Sequence, residues 1–213
     1  MLINASMQNI AAGNAALERL RRLFDPDALR KADENISDLS RKPLGDFRSI
    51  TMNDIRFAYP ASHDGQGFSV RIENLTVSSG EILFIVGGNG SGKSTFMNIL
   101  TGLYPPDDGV VKIDGRPVRM AAYRDMFSAV FADFHLFDRF YGLDAVDEGR
   151  VRELLRLTEL DRKTCYDQDR FTTLDLSTGQ RKRLALVIAM MEDRPIFVFD
   201  EWAADQDPHF RHY

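Results

Sequence analysis

Gly87-Gly88-Asn89-Gly90-Ser91-Gly92-Lys93-Ser94-Thr95 fits, residue for residue, the pattern G-x-x-x-x-G-K-[ST], a grip for phosphate. Glycines let the backbone curl tightly enough for successive amides to converge on one anion, and side chains there would block it. The run Ile82-Leu83-Phe84-Ile85-Val86 ahead of the loop reads as a short buried strand. Ser94-Thr95-Phe96-Met97-Asn98-Ile99-Leu100 behind it reads as a helix. In that setting the helix start brings about half a positive charge and unpaired N–H groups. Lys93 can reach the terminal phosphates, and the Ser94 hydroxyl is placed to ligate Mg²⁺. The expectation is a nucleoside triphosphate site built from Gly87, Asn89, Gly90, Ser91, Gly92, Lys93, Ser94 and Thr95.

Outward from the loop, the texture upstream is β. Ile50 to Phe57 and Phe68 to Ile72 alternate as two strands, with residues 60 to 67 as the turn between them. Downstream, Asp114-Gly115 after Val110-Val111-Lys112-Ile113 signals a hairpin. Antiparallel strands therefore flank the loop, while the later alternation of helices and apolar strands implies a parallel core sheet, an α/β fold. Between Phe137 and Leu174 no strand signal is strong. The charged, helically spaced stretch from Asp147 to Leu157 reads as part of a helical insertion covering about residues 137–190.

Two more motifs follow. Leu176-Ser177-Thr178-Gly179-Gln180 opens a helix, and Ser177 with Gln180 makes the reciprocal capping box of a helix start. The succeeding Arg181-Lys182-Arg183 reads as a solvated face. Then Pro195-Ile196-Phe197-Val198-Phe199-Asp200-Glu201 presents an apolar strand that ends in two acids. An acid at a strand tip beside a phosphate loop is where Mg²⁺ is held, so Asp200 is the expected metal-side ligand with Ser94, and Glu201 is free to act on water.

Composition narrows the setting. With 213 residues, 44% of them hydrophobic, the chain can bury one substantial core, and its net charge of −5 gives no broad cationic field for nucleic acid. The lone Cys165 cannot form an internal disulfide, so it reads as an inert thiol in a reducing setting. No run is long and apolar enough for a membrane span. Residues 4 to 24 carry helical spacing with a basic last turn before Pro26, and a polar stretch follows to Asp46.

The order of motifs, from phosphate loop to Leu-Ser-x-Gly-Gln helix to apolar strand with Asp-Glu, resembles the ATP-binding-cassette (ABC) ATPases over roughly residues 50 to 213. The resemblance implies a cassette of residues 49–213 with ATP and Mg²⁺ as cofactors. Residues 1–48 would then be the end of a membrane-domain helix and its linker. Tyr59 falls where the family stacks an aromatic ring on adenine, although a tyrosine packed on the sheet is the plainer alternative. Residues 204 to 207 fall at the family's inter-subunit loop. The family pairs two cassettes head to tail, so Ser177, Gly179 and Gln180 would face the γ-phosphate held by a second copy. Glu201 would act as the base on water, with Lys93 sharing catalysis.

The chain departs from the family at Thr178, where a second glycine is usual, and at Ala132, where a glutamine normally reaches Mg²⁺ and water. His209 and His212 lie too soon after Asp200 to serve as the family's switch histidine. The stretches from Phe131 to Asp138 and from Asp200 to Pro208 are similar to the cyclic-peptide and siderophore-peptide exporters. The implied function is the ATPase cassette of such an exporter, at the cytoplasmic face of the inner or plasma membrane. It would work with a membrane domain and without nucleic acid, on a chain cut at both ends. A soluble ABC ATPase acting on nucleic acid or ribosomes, and a degenerate regulatory ATP-binding module, stay open as alternatives.

Overall fold

The computed structural model describes residues 47–59 and 67–201. The entrance helix expected at residues 4 to 24, most of the turn at 60 to 67, the loop at 204 to 207 and both late histidines lie outside them. The chain divides after Asp46, and all described residues belong to the unit Phe47–Tyr213.

An antiparallel sheet leads the described chain, in the order β2-β1-β3-β4. Its strands are β1 (Ser49–Ala58), β2 (Ser69–Ser78), β3 (Asp108–Ile113) and β4 (Arg116–Val118). Alternation along β1 turns Ile50 and Met52 inward, where they are almost fully buried with Ile113. The register of β1 against β3 shifts between Asn53 and Arg56. Asp54 sits there with φ 50°, in the left-handed region that a bulge demands. The hairpin expected at Asp114-Gly115 is present, with φ 52° and 77° at its two turn residues, the paired positive values of a type I′ turn. The Asp114 carboxylate also accepts from the backbone N–H groups of Arg48 and Ser49 at 2.8 and 2.9 Å, which ties the turn to the start of β1. Those amides, with Ser49 the stronger, hold its carboxyl below the usual value of 3.8.

The helix after the phosphate loop, α1 (Lys93–Leu100), buries Phe96, Met97, Ile99 and Leu100. It stops at Gly102, which has φ 73°, and whose carbonyl is gripped by both Nε and Nη2 of Arg124 at 3.0 and 2.7 Å. A 3-10 segment, Met120–Met126, then leads into β5 (Phe127–Val130).

The parallel core consists of β5 and β8 (Ile196–Phe199), paired in register from Phe127 with Ile196 to Val130 with Phe199. Here one expectation is corrected. Ile82 to Val86 has the composition of a buried strand, yet it joins no sheet among the described residues, and Ile82, Phe84 and Val86 are 80%, 81% and 89% exposed. A ladder is made by the neighbouring backbone as much as by the strand itself, and no described strand lies alongside this run.

The helical region contains α2 (Glu148–Leu157) and α3 (Thr178–Glu192). Asp147 caps α2 by accepting from the Arg150 amide at 3.0 Å, and Val151, Leu154 and Leu155 point into a core shared with Leu160, Leu184 and Val187. Truncating any of these side chains to alanine costs about 2–5 kcal/mol. The region is not wholly helical. A small hairpin of β6 (Tyr166–Asp167) and β7 (Arg170–Phe171) interrupts it, turning at Gln168-Asp169 with φ 48° and 59°. Without a glycine or asparagine at that turn, the sequence gives no hairpin signal. Tyr166 and Phe171 are buried against Phe140, which anchors the hairpin, and burial raises the Tyr166 hydroxyl above its ordinary value. Ser128 Oγ on β5 donates to Glu192 at 2.6 Å and to the Ala189 carbonyl at 3.3 Å, fastening α3 to the parallel pair.

Candidate functional site

The phosphate-type loop and the acid-tipped strand, far apart in sequence, meet in space. Ser94 Oγ, in the first turn of α1, donates to Asp200 Oδ2 at 2.7 Å across 106 residues of chain. Asp200 is only 3% exposed, and its backbone N–H donates to the Val130 carbonyl at 2.9 Å, so the acid is fixed at the carboxyl ends of the parallel pair. A buried carboxylate needs such partners, because ionised oxygen atoms removed from water without them are costly. Glu201 follows with an exposed side chain and φ 50°. That backbone conformation costs a non-glycine residue on the order of 1–2 kcal/mol and persists only where surrounding structure holds it.

Within the loop, Gly92 has φ 95° and caps α1 with no side-chain cap on the first turn, which leaves those early amides available to an anion. A Cβ built on Gly87 would lie 2.5 Å from Ser91 Oγ, so a larger residue there would have to turn the serine side chain aside. Lys93 Nζ donates to the carbonyls of Gly87 and Gly88 at 3.0 Å each. The ammonium therefore sits within the curl of the loop, on oxygens that incoming phosphate oxygens could replace. Among the described residues no group of three or more His, Cys, Asp or Glu side chains assembles. A divalent cation beside Ser94 and Asp200 would thus have two hard protein oxygens and would complete its shell from phosphate and water, the habit of Mg²⁺.

Tyr59 lies close to α1, its hydroxyl 3.2 Å from Thr95 Oγ1. Its ring packs edge-on to Phe57 and Tyr104 at centroid distances of 5.1 and 5.9 Å, with Phe68 at 6.0 Å. Tyr104 was not singled out by sequence. It stacks on Phe57 at 5.2 Å and is recognisable as part of the cluster only once β1 and α1 are brought together.

At the start of α3 the capping box is formed, with Ser177 N donating to Gln180 Oε1 at 3.1 Å and Gln180 N to Ser177 Oγ at 3.4 Å. The solvated face expected next is overturned. Lys182 and Arg183 are both buried, and Lys182 Nζ donates to the Glu201 carbonyl at 2.8 Å. A backbone oxygen at the strand tip thus helps to meet the buried charge. Ala132, two residues beyond Val130 on the loop leaving β5, is exposed and offers no polar side-chain atom.

Residues 70–204 match the family profile described as ABC transporter. This chain belongs to the ABC transporter family. Its ATP-binding cassettes hydrolyse ATP, and the described fold is theirs: mixed α/β, with an antiparallel sheet, a parallel pair and a helical region. The cassette is 39% identical over its whole length to ATP-binding protein SyrD of Pseudomonas syringae pv. syringae, of which it spans 39%. It is 26% identical to the ATP-dependent lipid A-core flippase of Blochmanniella pennsylvanica, covering 97% of this chain and 37% of that one. A bacterial Atm1-family ABC exporter solved with ATP bound shares the fold at a TM-score of 0.68 and 22% identity, over 99% of this chain and 38% of the exporter. The cassette thus spans about two fifths of these relatives. No helix among the described residues is long and apolar enough to cross a membrane.

Proposed function

We propose that this chain is the ATP-hydrolysing cassette of an exporter, acting at the cytoplasmic face of a membrane on a peptide or siderophore-type substrate. The observation that carries the reading is the Ser94–Asp200 hydrogen bond, which sets a hydroxyl and a buried carboxylate side by side at the loop, with Glu201 next in line. Its similarity to a beta-(1-->2)glucan export ATP-binding/permease protein of Brucella suis, 31% identical over 93% of this chain, supports the direction of transport, and its share of its relatives' length supports a longer polypeptide carrying a membrane domain.

In this reading Tyr59 holds adenine, while the amides from Gly90 to Ser94 and the Lys93 ammonium hold the phosphates. Thr95 steadies the tyrosine through its hydroxyl. Ser94 and Asp200 would hold Mg²⁺, which supplies charge neutralisation at phosphoryl oxygens when bound. Glu201 orients the attacking water and takes its proton. Two cassettes meet head to tail, so Ser177, Gly179 and Gln180 of each bring a capped helix start to the γ-phosphate held by the other.

The reading is tested by Glu201→Gln in the full-length protein reconstituted in lipid. ATP binding should persist while turnover falls by about 10²- to 10⁴-fold, the usual contribution of a general base. Wild-type turnover in that variant would refute the role of Glu201. Loss of binding by the unaltered protein would refute the cassette as an ATPase.

A further inference from the structure

A lysine buried in the interior of a soluble fold is costly unless something answers its charge, so the question raised by Lys182 is what it does there. It is 3% exposed, it projects from the helix that opens with Ser177, and its ammonium reaches the backbone carbonyl of Glu201 at 2.8 Å. Glu201 has the left-handed φ of 50° that an ordinary residue keeps only under constraint. The residue before it is already fixed. The Val130 carbonyl holds the Asp200 amide, and Ser94 holds the Asp200 carboxylate. Rotation about the N–Cα bond of Glu201, away from that φ, would swing the Glu201 carbonyl and, with it, the direction in which its exposed side chain leaves the backbone. The Lys182 hydrogen bond opposes that rotation.

We propose that Lys182 is a positioning residue: its charge-assisted hydrogen bond to the Glu201 carbonyl aims the Glu201 carboxylate at the attacking water. This deepens the function proposed above and rests on it. The role is indirect, since the ammonium donates to the main chain of the base. Its loss therefore misplaces the base without removing it. Outer contacts that orient a reactive group typically contribute 10- to 100-fold, and an error of about 1 Å in placement carries a penalty of the same size.

The test uses the full-length protein in lipid, with fluorescent N-methylanthraniloyl-ATP as the binding probe and steady-state ATPase kinetics. Lys182→Met keeps the length of the side chain and removes its charge and donors. It should lower kcat by about 10- to 100-fold while KM and probe affinity stay within about twofold. Lys182→Arg, which restores a charged donor, should recover most of the loss. In the Glu201→Gln background, Lys182→Met should add no further loss, because a residue that acts only by aiming a carboxylate has nothing left to aim. Wild-type kcat in Lys182→Met overturns the proposal, and so does a loss that multiplies with that of Glu201→Gln, the mark of a general structural defect. Should Lys182→Met fail to fold, Lys182→Gln, neutral but still a donor, is read by the same criteria. A wild-type protein that neither binds the probe nor hydrolyses ATP overturns the proposed function itself. A wild type that does both, beside an indifferent Lys182→Met, overturns this inference alone.

Discussion

Replacing Ser94 by alanine isolates the contact that joins the two halves of the site. The hydroxyl donates to a buried carboxylate at 2.7 Å, and hydrogen bonds to charged groups contribute about 1.5–3 kcal/mol. Alanine is the better helix former by roughly 0.5 kcal/mol, which offsets part of the loss within α1. The backbone anchor of Asp200 on Val130 is untouched, so the strand tip should stay in place. The net expectation is a loss of about 1–2 kcal/mol of unfolding free energy without nucleotide, or roughly 3–6 °C in melting temperature for a chain of this size. Ser94→Thr keeps the donor and should remain within about 0.5 kcal/mol of wild type. Differential scanning of the three proteins without ligand gives the first number. A Mg²⁺ titration of ATP binding gives the second, in which Ser94→Ala should need at least about tenfold more metal. A Ser94→Ala protein that melts with the wild type and requires no more Mg²⁺ would refute the claim that this hydroxyl and Asp200 form one metal-ready pair.

Other consequences concern the scaffold. Gly109 has φ 98°, and a Cβ there would lie 2.6 Å from the Asp54 carbonyl oxygen, whereas Gly115, with φ 77°, faces open space. Gly109→Ala should therefore cost about 2–4 kcal/mol and Gly115→Ala only about 1–2 kcal/mol in urea unfolding, and equal costs would contradict the bulge geometry. The Asp114 carboxyl is held below its ordinary value of 3.8 by the amides of Ser49 and Arg48, so the stability it adds is present above that value and is lost as pH falls through the lower folded one. The stability gap between wild type and Asp114→Asn should accordingly close below about pH 4. A gap unchanged down to the acid transition would show that the charge is not what those amides prefer.

Local chemistry was legible in the sequence wherever one short stretch carries its own instruction. Gly90 and Gly92 of the phosphate loop take positive φ, the Ser177–Gln180 box and the Asp114-Gly115 turn form, and the acid pair follows the strand that ends at Phe199. Where the outcome depends on a distant partner, the sequence was mute or misleading. Ile82 to Val86 has strand composition, but a strand exists only where another backbone lies beside it. Lys182 reads as solvated because charged side chains on a helix usually are, whereas in the fold it is buried and its ammonium donates to the Glu201 carbonyl, 19 residues on. The Tyr166–Phe171 hairpin was hidden because Gln168 and Asp169 take up positive φ without glycine, held by aromatic packing around Phe140.

Everything in the account depends on the loop from Gly87 to Thr95 holding the phosphates of ATP, with Lys93 moving from the Gly87 and Gly88 carbonyls onto them. Titration calorimetry of Mg-ATP into the full-length protein and its Lys93→Ala variant tests this most directly. Saturable binding that weakens by about 10- to 100-fold on losing the ammonium is the predicted result. Equal affinity in the two proteins, or no heat of binding in the wild type, would contradict it.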